Sequence, residues 1–592
     1  QKFIEKFPSG TDSLSATYRS AVCLEKLGDV AGAVSAWRTI WLKYPASSIA
    51  VKAADDLRRV SSQGIKVEPY STDELARRGM TLYDLGKYSQ AAVVFQNFTS
   101  SQQPADSDAR FRLKGGQALF KARRYKEAEH AFTALLARKM DRDIYEEAYF
   151  WFGRALNRNG KTEEAFTAFV KLAEASVNSE LADKALMEAA FIRKNQNRME
   201  EALTILKKFI LSHPGSPFRL SATWEIAWGS FQSGDMKTAV EYFKPLTDKE
   251  TTREKALYWY GRALSASGDV TGAQAAFANL LAEYPLGFYA QWYRKEANLK
   301  GDVISMPVTN LCEILPLPAG YERVKALITF GMFEEARKEL AASRKKTSPK
   351  NGALPGLARL YLEMDDYNGA YKLLRNDHPR KVEKDNLYQW GLCFPMAFRE
   401  HVAEMAAEFA IPEGLIYSLM RAESSFSPTA LSPVGAVGLM QLMPATAATV
   451  SNGGKGEFNA ATLTNPKTNI RYGVKHLRDL LTLYKGDTIL AVAAYNAGAG
   501  NVNRWRKTFA NMRKDEFVEN IPFAETREYV KRVISGAEIY DRLYKLDDSS
   551  GTTPTSPLQK DAPVTQKPQT SLPERTASLA VQDRPSPYRR LV

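Results

Sequence analysis

One glutamate, Glu423, stands where a chain would place a proton donor. It closes an apolar stretch in which Leu415, Ile416, Leu419 and Met420 recur at helical spacing, and it follows Leu419 by four residues. That spacing puts it on the buried stripe of a helix over 412–423. A carboxyl on an apolar face is costly to ionise, which raises its pKa toward the range of a general acid. A small-residue loop, SFSPTALSPVGAVG, follows directly, and its Gly435 and Gly438 permit close backbone approach or positive φ. GLMQLMPATA is then expected to open a short helix, with Gln441 and Met443 facing a groove. A helix of small apolar residues, Thr488 to Tyr495, ends at AAYNAGAGN, where Gly498 is a natural stop. Last, IPFAETREYVKRVI is expected to start a helix with Pro522 and to set Glu525 and Tyr529 one turn apart.

Each of these residues alone has a plain structural reading. Glu423 fits a buried acid paired with an arginine, Gln441 a helix cap, Tyr495 a core phenol with its hydroxyl satisfied, and the glycines simple turns. Their crowding into one segment favours a cleft. One acid, an amide, a phenol and glycine-lined backbone suit a sugar polymer.

The elements that position this segment lie upstream. At 592 residues the chain is too long for a single core, and its 44% hydrophobic and 25% charged content is that of a globular protein. Residues 1 to about 380 repeat a phrase: YSQAAVVF, YKEAEHAF, TEEAFTAF, MEEALTIL, MKTAVEYF and VTGAQAAF. Its alanines, Ala91, Ala128, Ala165, Ala202, Ala239 and Ala273, are 37, 37, 37, 37 and 34 residues apart. Weaker copies carry Ala33, Ala336 and Ala370. Most copies follow a turn such as LGK, NGK or SGD, which is the signature of a tetratricopeptide-like helical solenoid. The expected fold is all-α: a TPR-like solenoid over 1–300, a helical linker domain over 301–395, a further helical domain over 396–546 that holds the candidate cleft and a disordered Pro/Ser/Thr-rich tail over 547–592.

The remaining features narrow the class. The net charge of +14 favours anionic partners, but Lys and Arg are interspersed with Glu and Asp and form no nucleic-acid motif, so no nucleic acid is expected. An anionic polymer such as peptidoglycan fits the same excess. The five histidines and the widely spaced Cys23, Cys312 and Cys393 show no metal-ligand pattern; no metal or other cofactor is expected, and the cysteines read as buried small hydrophobes. No apolar run is long enough to span a bilayer. The opening QKFIEKFPSG carries no signal peptide and no initiating Met, so any export signal or lipid anchor is expected upstream and membrane association stays open.

Taken in order, ESSF, SPVGAVGLMQLMP, AAYNAGAGNV and IPFAETREYV resemble the motifs of the soluble lytic transglycosylases over roughly 410–535. The repeats resemble the large members of that family, which close helices into a ring carrying a lysozyme-like domain. The resemblance implies that Glu423 is the sole catalytic acid/base. It implies that Ser432, Gln441 and Met443 line the saccharide groove, that Tyr495 lies near the scissile bond with Asn496 supporting it, and that Glu525 assists. It further implies cleavage of the β-1,4 bond between N-acetylmuramic acid and N-acetylglucosamine in the periplasm, with formation of 1,6-anhydro-muramic acid. The partners it implies are peptidoglycan glycan strands, with other cell-wall enzymes on the solenoid. Two alternatives stay open on the residues alone: a hydrolytic muramidase on the same fold, and a peptidoglycan-binding scaffold without activity.

Overall fold

The structure is a computed structural model and describes residues 11–96, 105–176, 179–299, 319–346, 354–374, 386–451 and 458–544, with Leu317 and Glu383. Regular structure among the described residues is helical; the only β pairing is two isolated antiparallel bridges, Leu431 with Val437 and Val437 with Leu442. No described helix is long and apolar enough to cross a membrane. Cys312 and the tail from 547 fall outside the described residues. The chain divides into two compact units, one up to Leu246 and one from Thr247.

The first unit is a run of helix hairpins. Thr72–Asp84 packs on Tyr88–Gln96, Ala105–Lys121 on Tyr125–Leu136, Arg142–Arg158 on Thr162–Ala175, Glu180–Asn195 on Met199–Ser212, and Arg219–Ser233 on Met236–Phe243. The repeated alanines Ala33, Ala91, Ala128, Ala165, Ala202 and Ala239 are all buried. The companion position on the first helix of each hairpin is equally small. A Cβ added to Gly79, Gly116 or Gly153 would lie 2.7, 2.5 or 2.8 Å from a ring carbon of Phe95, Phe132 or Phe169. Ala190 and Ala227 fill this position in the next two repeats and are buried. The pair, small residue against large ring, sets how closely two helices approach. Gly116→Val is therefore expected to destabilise the first unit by about 1–3 kcal/mol, read as a lowered thermal midpoint, because Phe132 is fully enclosed and has no room to yield.

The turns between paired helices need one left-handed residue at the same place in each repeat. It is Gly86, Gly160 and Gly234 (φ 72°, 81° and 84°), but Arg123 and Asn197 (φ 65° and 59°) in the other two. Cys23, expected to be buried, is exposed: it lies on the solvent side of Thr11–Lys26, whereas Ala21 of that helix is enclosed. Cys393 is buried as expected.

The second unit starts inside the repeats. Arg253–Ser267, Val270–Glu283 and Phe288–Glu296 continue the pattern, with Ala273 buried and Gly261 against Phe277. Four helices between Glu322 and Leu374 enclose a small core of Tyr321, Val324, Leu340, Leu357 and Leu360, in which Ala336 is also buried. At the centre of the C-terminal part, Glu413–Ser424 packs along Ala524–Tyr544, with Arg399–Phe409 against the first and Thr488–Ala497 against the second. The central pair is in close contact around Ser418. Ser418 Oγ donates to the Val533 carbonyl at 2.8 Å, Gly536 lies against Ser418, and Tyr417 stacks on Tyr540 at 5.1 Å.

Buried polar contacts join the repeat-like helices of this unit to its C-terminal part. Asp515, on Lys514–Glu519, accepts the Tyr258 hydroxyl at 2.7 Å and is paired with Arg262. Glu519 accepts the Tyr289 hydroxyl and pairs with Lys531 Nζ at 2.7 Å. Lys531 belongs to Ala524–Tyr544, so this chain of contacts anchors that helix as well.

Candidate active site

Glu423 is the penultimate residue of Glu413–Ser424 and is buried, on the same face as Leu415, Ile416, Leu419 and Met420. The helix ends abruptly, because Ser425 and Phe426 both take left-handed backbone conformations (φ 52° and 62°). Two consecutive non-glycine residues in that region carry strain, of a kind that clusters at functional sites. The surroundings hold them there. Ser424 Oγ donates to the Leu439 carbonyl at 2.8 Å, and Asn368 Nδ2 donates to the Ser425 carbonyl at 2.8 Å. The two serines after Glu423 thus fix the carboxyl's base rather than add a second reactive group.

Tyr529, one turn after Glu525 on the long C-terminal helix, donates its hydroxyl to Glu423 Oε1 at 2.5 Å. Both residues are buried. Tyr495 lies within reach of the same charge. Its hydroxyl donates to the Met440 carbonyl at 2.9 Å, and burial, with a further contribution from Glu423, pushes its pKa well above the ordinary phenol value. It acts as a neutral hydrogen-bonding phenol. His476 packs against its ring at 5.2 Å, and burial lowers the imidazole's pKa, which favours its neutral form.

The loop that follows the Glu423 helix is held by Ser432 and Gln441, both expected to line a groove, and by one residue of a later helix that sequence reasoning missed. Ser432 Oγ accepts the Ala436 N–H at 2.9 Å. Gln441, buried and left-handed (φ 48°), donates to the carbonyls of Gly438 at 2.9 Å and Ala430 at 3.2 Å. Both side chains therefore brace the loop. The short helix expected to open in GLMQLMPATA forms over Pro444–Val450, preceded by a tight turn, Gly438–Gln441, that the Val437–Leu442 bridge closes. Met443 stands at its entrance, 38% exposed. Glu525 is half-buried, on a helix that begins at Ala524 rather than at Pro522. Asn496, next to Tyr495, accepts the Thr526 hydroxyl at 2.6 Å, which ties the Thr488–Ala497 helix to Ala524–Tyr544.

The missed residue is Asn469, fully buried on Pro466–Leu483. Its amide oxygen accepts the Met440 N–H at 2.7 Å, and its nitrogen donates to the carbonyls of Val437 at 2.9 Å and Leu463 at 2.8 Å. A Cβ on Gly438 would collide with this amide, so Gly438 serves close approach as well as its left-handed φ of 80°. The available signal was an asparagine beside Ile470, on the helical stripe that Val474 and Leu477 continue.

Comparison with known proteins agrees with this arrangement. Residues 400–518 match the transglycosylase SLT domain family, and tetratricopeptide-repeat families match residues 113–179 and residues 15–47, 184–216 and 255–286. A soluble lytic murein transglycosylase of Escherichia coli strain K12 is 30% identical over 325 residues, covering 53% of this chain and 47% of the relative. One from Salmonella typhimurium is 38% identical over 156 residues, covering 26% of this chain and 23% of the relative. The chain thus aligns with about half the length of the first relative and less of the second. Among solved structures, an inactive mutant of the lytic transglycosylase Slt from Pseudomonas aeruginosa superposes with a TM-score of 0.59 at 22% identity, covering 90% of this chain and 81% of that one. The 70 kDa soluble lytic transglycosylase of Escherichia coli gives 0.59 at 20% identity, covering 91% and 82%. At these identities the likeness to the solved structures is one of fold.

Proposed function

With residues 400–518 belonging to the transglycosylase SLT domain family, we propose that this chain is a peptidoglycan lytic transglycosylase with Glu423 as its single general acid/base. The substrate is the glycan strand of murein and the site of action is the periplasm. The bond cleaved is the β-1,4 link from N-acetylmuramic acid to N-acetylglucosamine. The observation that carries this reading is one buried carboxyl, hydrogen-bonded by a buried phenol, on a helix end that Ser424 ties to a loop fixed by internal hydrogen bonds.

Most glycosidases use two carboxylates, one as acid and one as nucleophile or as base for water. Here one carboxyl serves twice. Glu423 gives its proton to the leaving oxygen as the C1–O bond breaks. Its carboxylate, held by the Tyr529 hydroxyl, then takes the proton of the muramic acid C6 hydroxyl, whose oxygen bonds to C1. The products are a free N-acetylglucosamine 4-hydroxyl and a 1,6-anhydro ring, with no water consumed. The attack is intramolecular, so effective molarity supplies a large part of the rate. Ser432, Gln441, Met443 and Tyr495 line the groove in this reading, and Glu525 assists from the helix that carries Tyr529. The repeats of the first unit offer the surface for other cell-wall enzymes.

Tyr529→Phe removes one hydrogen bond to a charged group, worth about 1.5–3 kcal/mol, and is expected to slow turnover about 10- to 100-fold with the fold intact. Unchanged turnover would remove Tyr529 from the mechanism. The reaction class is tested by reducing ends. Digestion of purified sacculi should release soluble glycan without new borohydride-reducible ends. New reducing ends in step with release would mean that water attacks C1, as in a hydrolytic muramidase.

A further inference from the structure

The second unit contains a cavity of about 640 Å³, which neither Glu423 nor Tyr529 lines. It falls in the size range of small-ligand sites, roughly 300–1,000 Å³. Its walls carry both signs of charge and an aromatic surface. Arg421 comes from the helix that bears Glu423, and Arg532 from the helix that bears Tyr529. Glu254 comes from the repeat-like helix Arg253–Ser267, and Tyr371, Trp390 and Phe394 supply the rings.

Two of the charged groups are held in place, and among the described residues neither forms an ion pair within 4 Å. Arg421 donates through Nε to the Cys393 carbonyl at 3.0 Å, and its guanidinium lies 4.1 Å from the Phe394 ring centroid and 5.0 Å from that of Tyr371. The side chain is thus fixed at the wall by its stem and flat face. Glu254 accepts the Tyr289 N–H at 3.2 Å. Burial pushes its carboxyl up to about 7, opposed by Lys531 and reinforced by Glu528, both on the C-terminal helix. Lys531 is itself shared between Glu519 and Glu528. A carboxyl in that state would gain from a cation delivered by a ligand.

We propose that this cavity binds a short zwitterionic peptide, its carboxylate on Arg421 and Arg532, its ammonium on Glu254, and its apolar side chains against Trp390 and Phe394. A tripeptide spans about 10 Å when extended and fits the volume. Because the walls include the two helices that hold the Glu423–Tyr529 pair, occupancy is coupled to the candidate active site through their shared packing. A peptide of this chemistry has two sources: a free peptide with a terminal ammonium, or one joined to glycan through its N-terminus and carrying its ammonium on a diamino side chain.

Calorimetric titration of the full chain separates them. The probes are free-ended trialanine and N-acetyl-dialanyl-lysine, each also as its C-terminal amide. At least one free acid should bind, and its amide should bind at least about tenfold more weakly. Binding of trialanine identifies a free peptide; binding of the acetylated lysine peptide alone identifies a glycan-joined one. Arg421→Gln and the exposed Arg532→Glu should each weaken binding to a similar degree, and the second keeps the test valid if the first fails to fold. Binding at pH 7 should release protons, seen as a dependence of heat on buffer, and Glu254→Gln should abolish that release. The proposal fails if neither acid binds at millimolar concentration, or if binding is indifferent to amidation and to both arginine substitutions. The titration reads binding rather than turnover, so it stands or falls separately from the lyase reading.

Discussion

Glu423→Gln is expected to keep the fold and lose nearly all release of soluble muropeptides from sacculi. The amide has the shape of the acid, and its oxygen can still accept the Tyr529 hydroxyl, which now lies 2.5 Å from Glu423 Oε1. The neighbouring anchors do not involve the carboxyl: Ser424 Oγ on the Leu439 carbonyl and Asn368 on the Ser425 carbonyl are untouched. Only the transferable proton is gone. A positioned acid/base is worth about 10²–10⁴-fold, and here the same group serves both bond cleavage and ring closure, so the loss should reach the upper end of that range. Circular dichroism should match the parent protein. A folded variant that retains more than about a tenth of the rate would remove Glu423 from its role.

Asp515→Ala is expected to destabilise the second unit by about 3–5 kcal/mol, the usual result of removing one partner from a buried ion pair. Asp515 is fully enclosed and serves Tyr258 and Arg262 at once, so the alanine leaves the phenol and the guanidinium only the more distant Glu296, at 3.5 and 3.8 Å. The effect should extend to activity. Lys514–Glu519 also carries Glu519, which holds Lys531, two residues from Tyr529 on the C-terminal helix. Calorimetry should show a lowered transition with reduced turnover, and Asp515→Asn, which keeps an acceptor oxygen, should recover part of both. An unchanged transition would mean that this contact does not anchor the unit.

Much of this was legible in the sequence, for identifiable reasons. The 37-residue step of the alanines survives in the structure because each alanine sits where two helices touch, and nothing larger fits. Glu423 was found because its apolar neighbours on one helical face are all local in sequence. What was not legible depends on contacts between distant segments. Helical spacing sets Tyr529 one turn from Glu525, but its hydrogen bond to a residue 106 positions earlier has no local trace. The phrases YFWFGRAL and LYWYGRAL show the difficulty most clearly. Arg154 in the first lies over the rings of Phe120 and Trp151, within the first unit. Arg262, its counterpart in the second, pairs with Asp515, more than 250 residues away. The phrases differ at three positions, and the one that bears on this pairing is Tyr258 in place of Phe150, whose hydroxyl also reaches Asp515. The turn over Gly438–Gln441, just ahead of the expected short helix, was not legible, because Asn469 of a later helix supplies hydrogen bonds that hold it.

The central claim is that one carboxyl performs both proton transfers and that the sugar's own hydroxyl displaces the leaving group. Mass spectrometry of the muropeptides released from purified sacculi, with Glu423→Gln as control, tests it most directly. The account predicts products ending in 1,6-anhydro-muramic acid, each one water lighter than the reducing form and absent with the variant. Products ending in reducing muramic acid, or anhydro products that persist with Glu423→Gln, would contradict it.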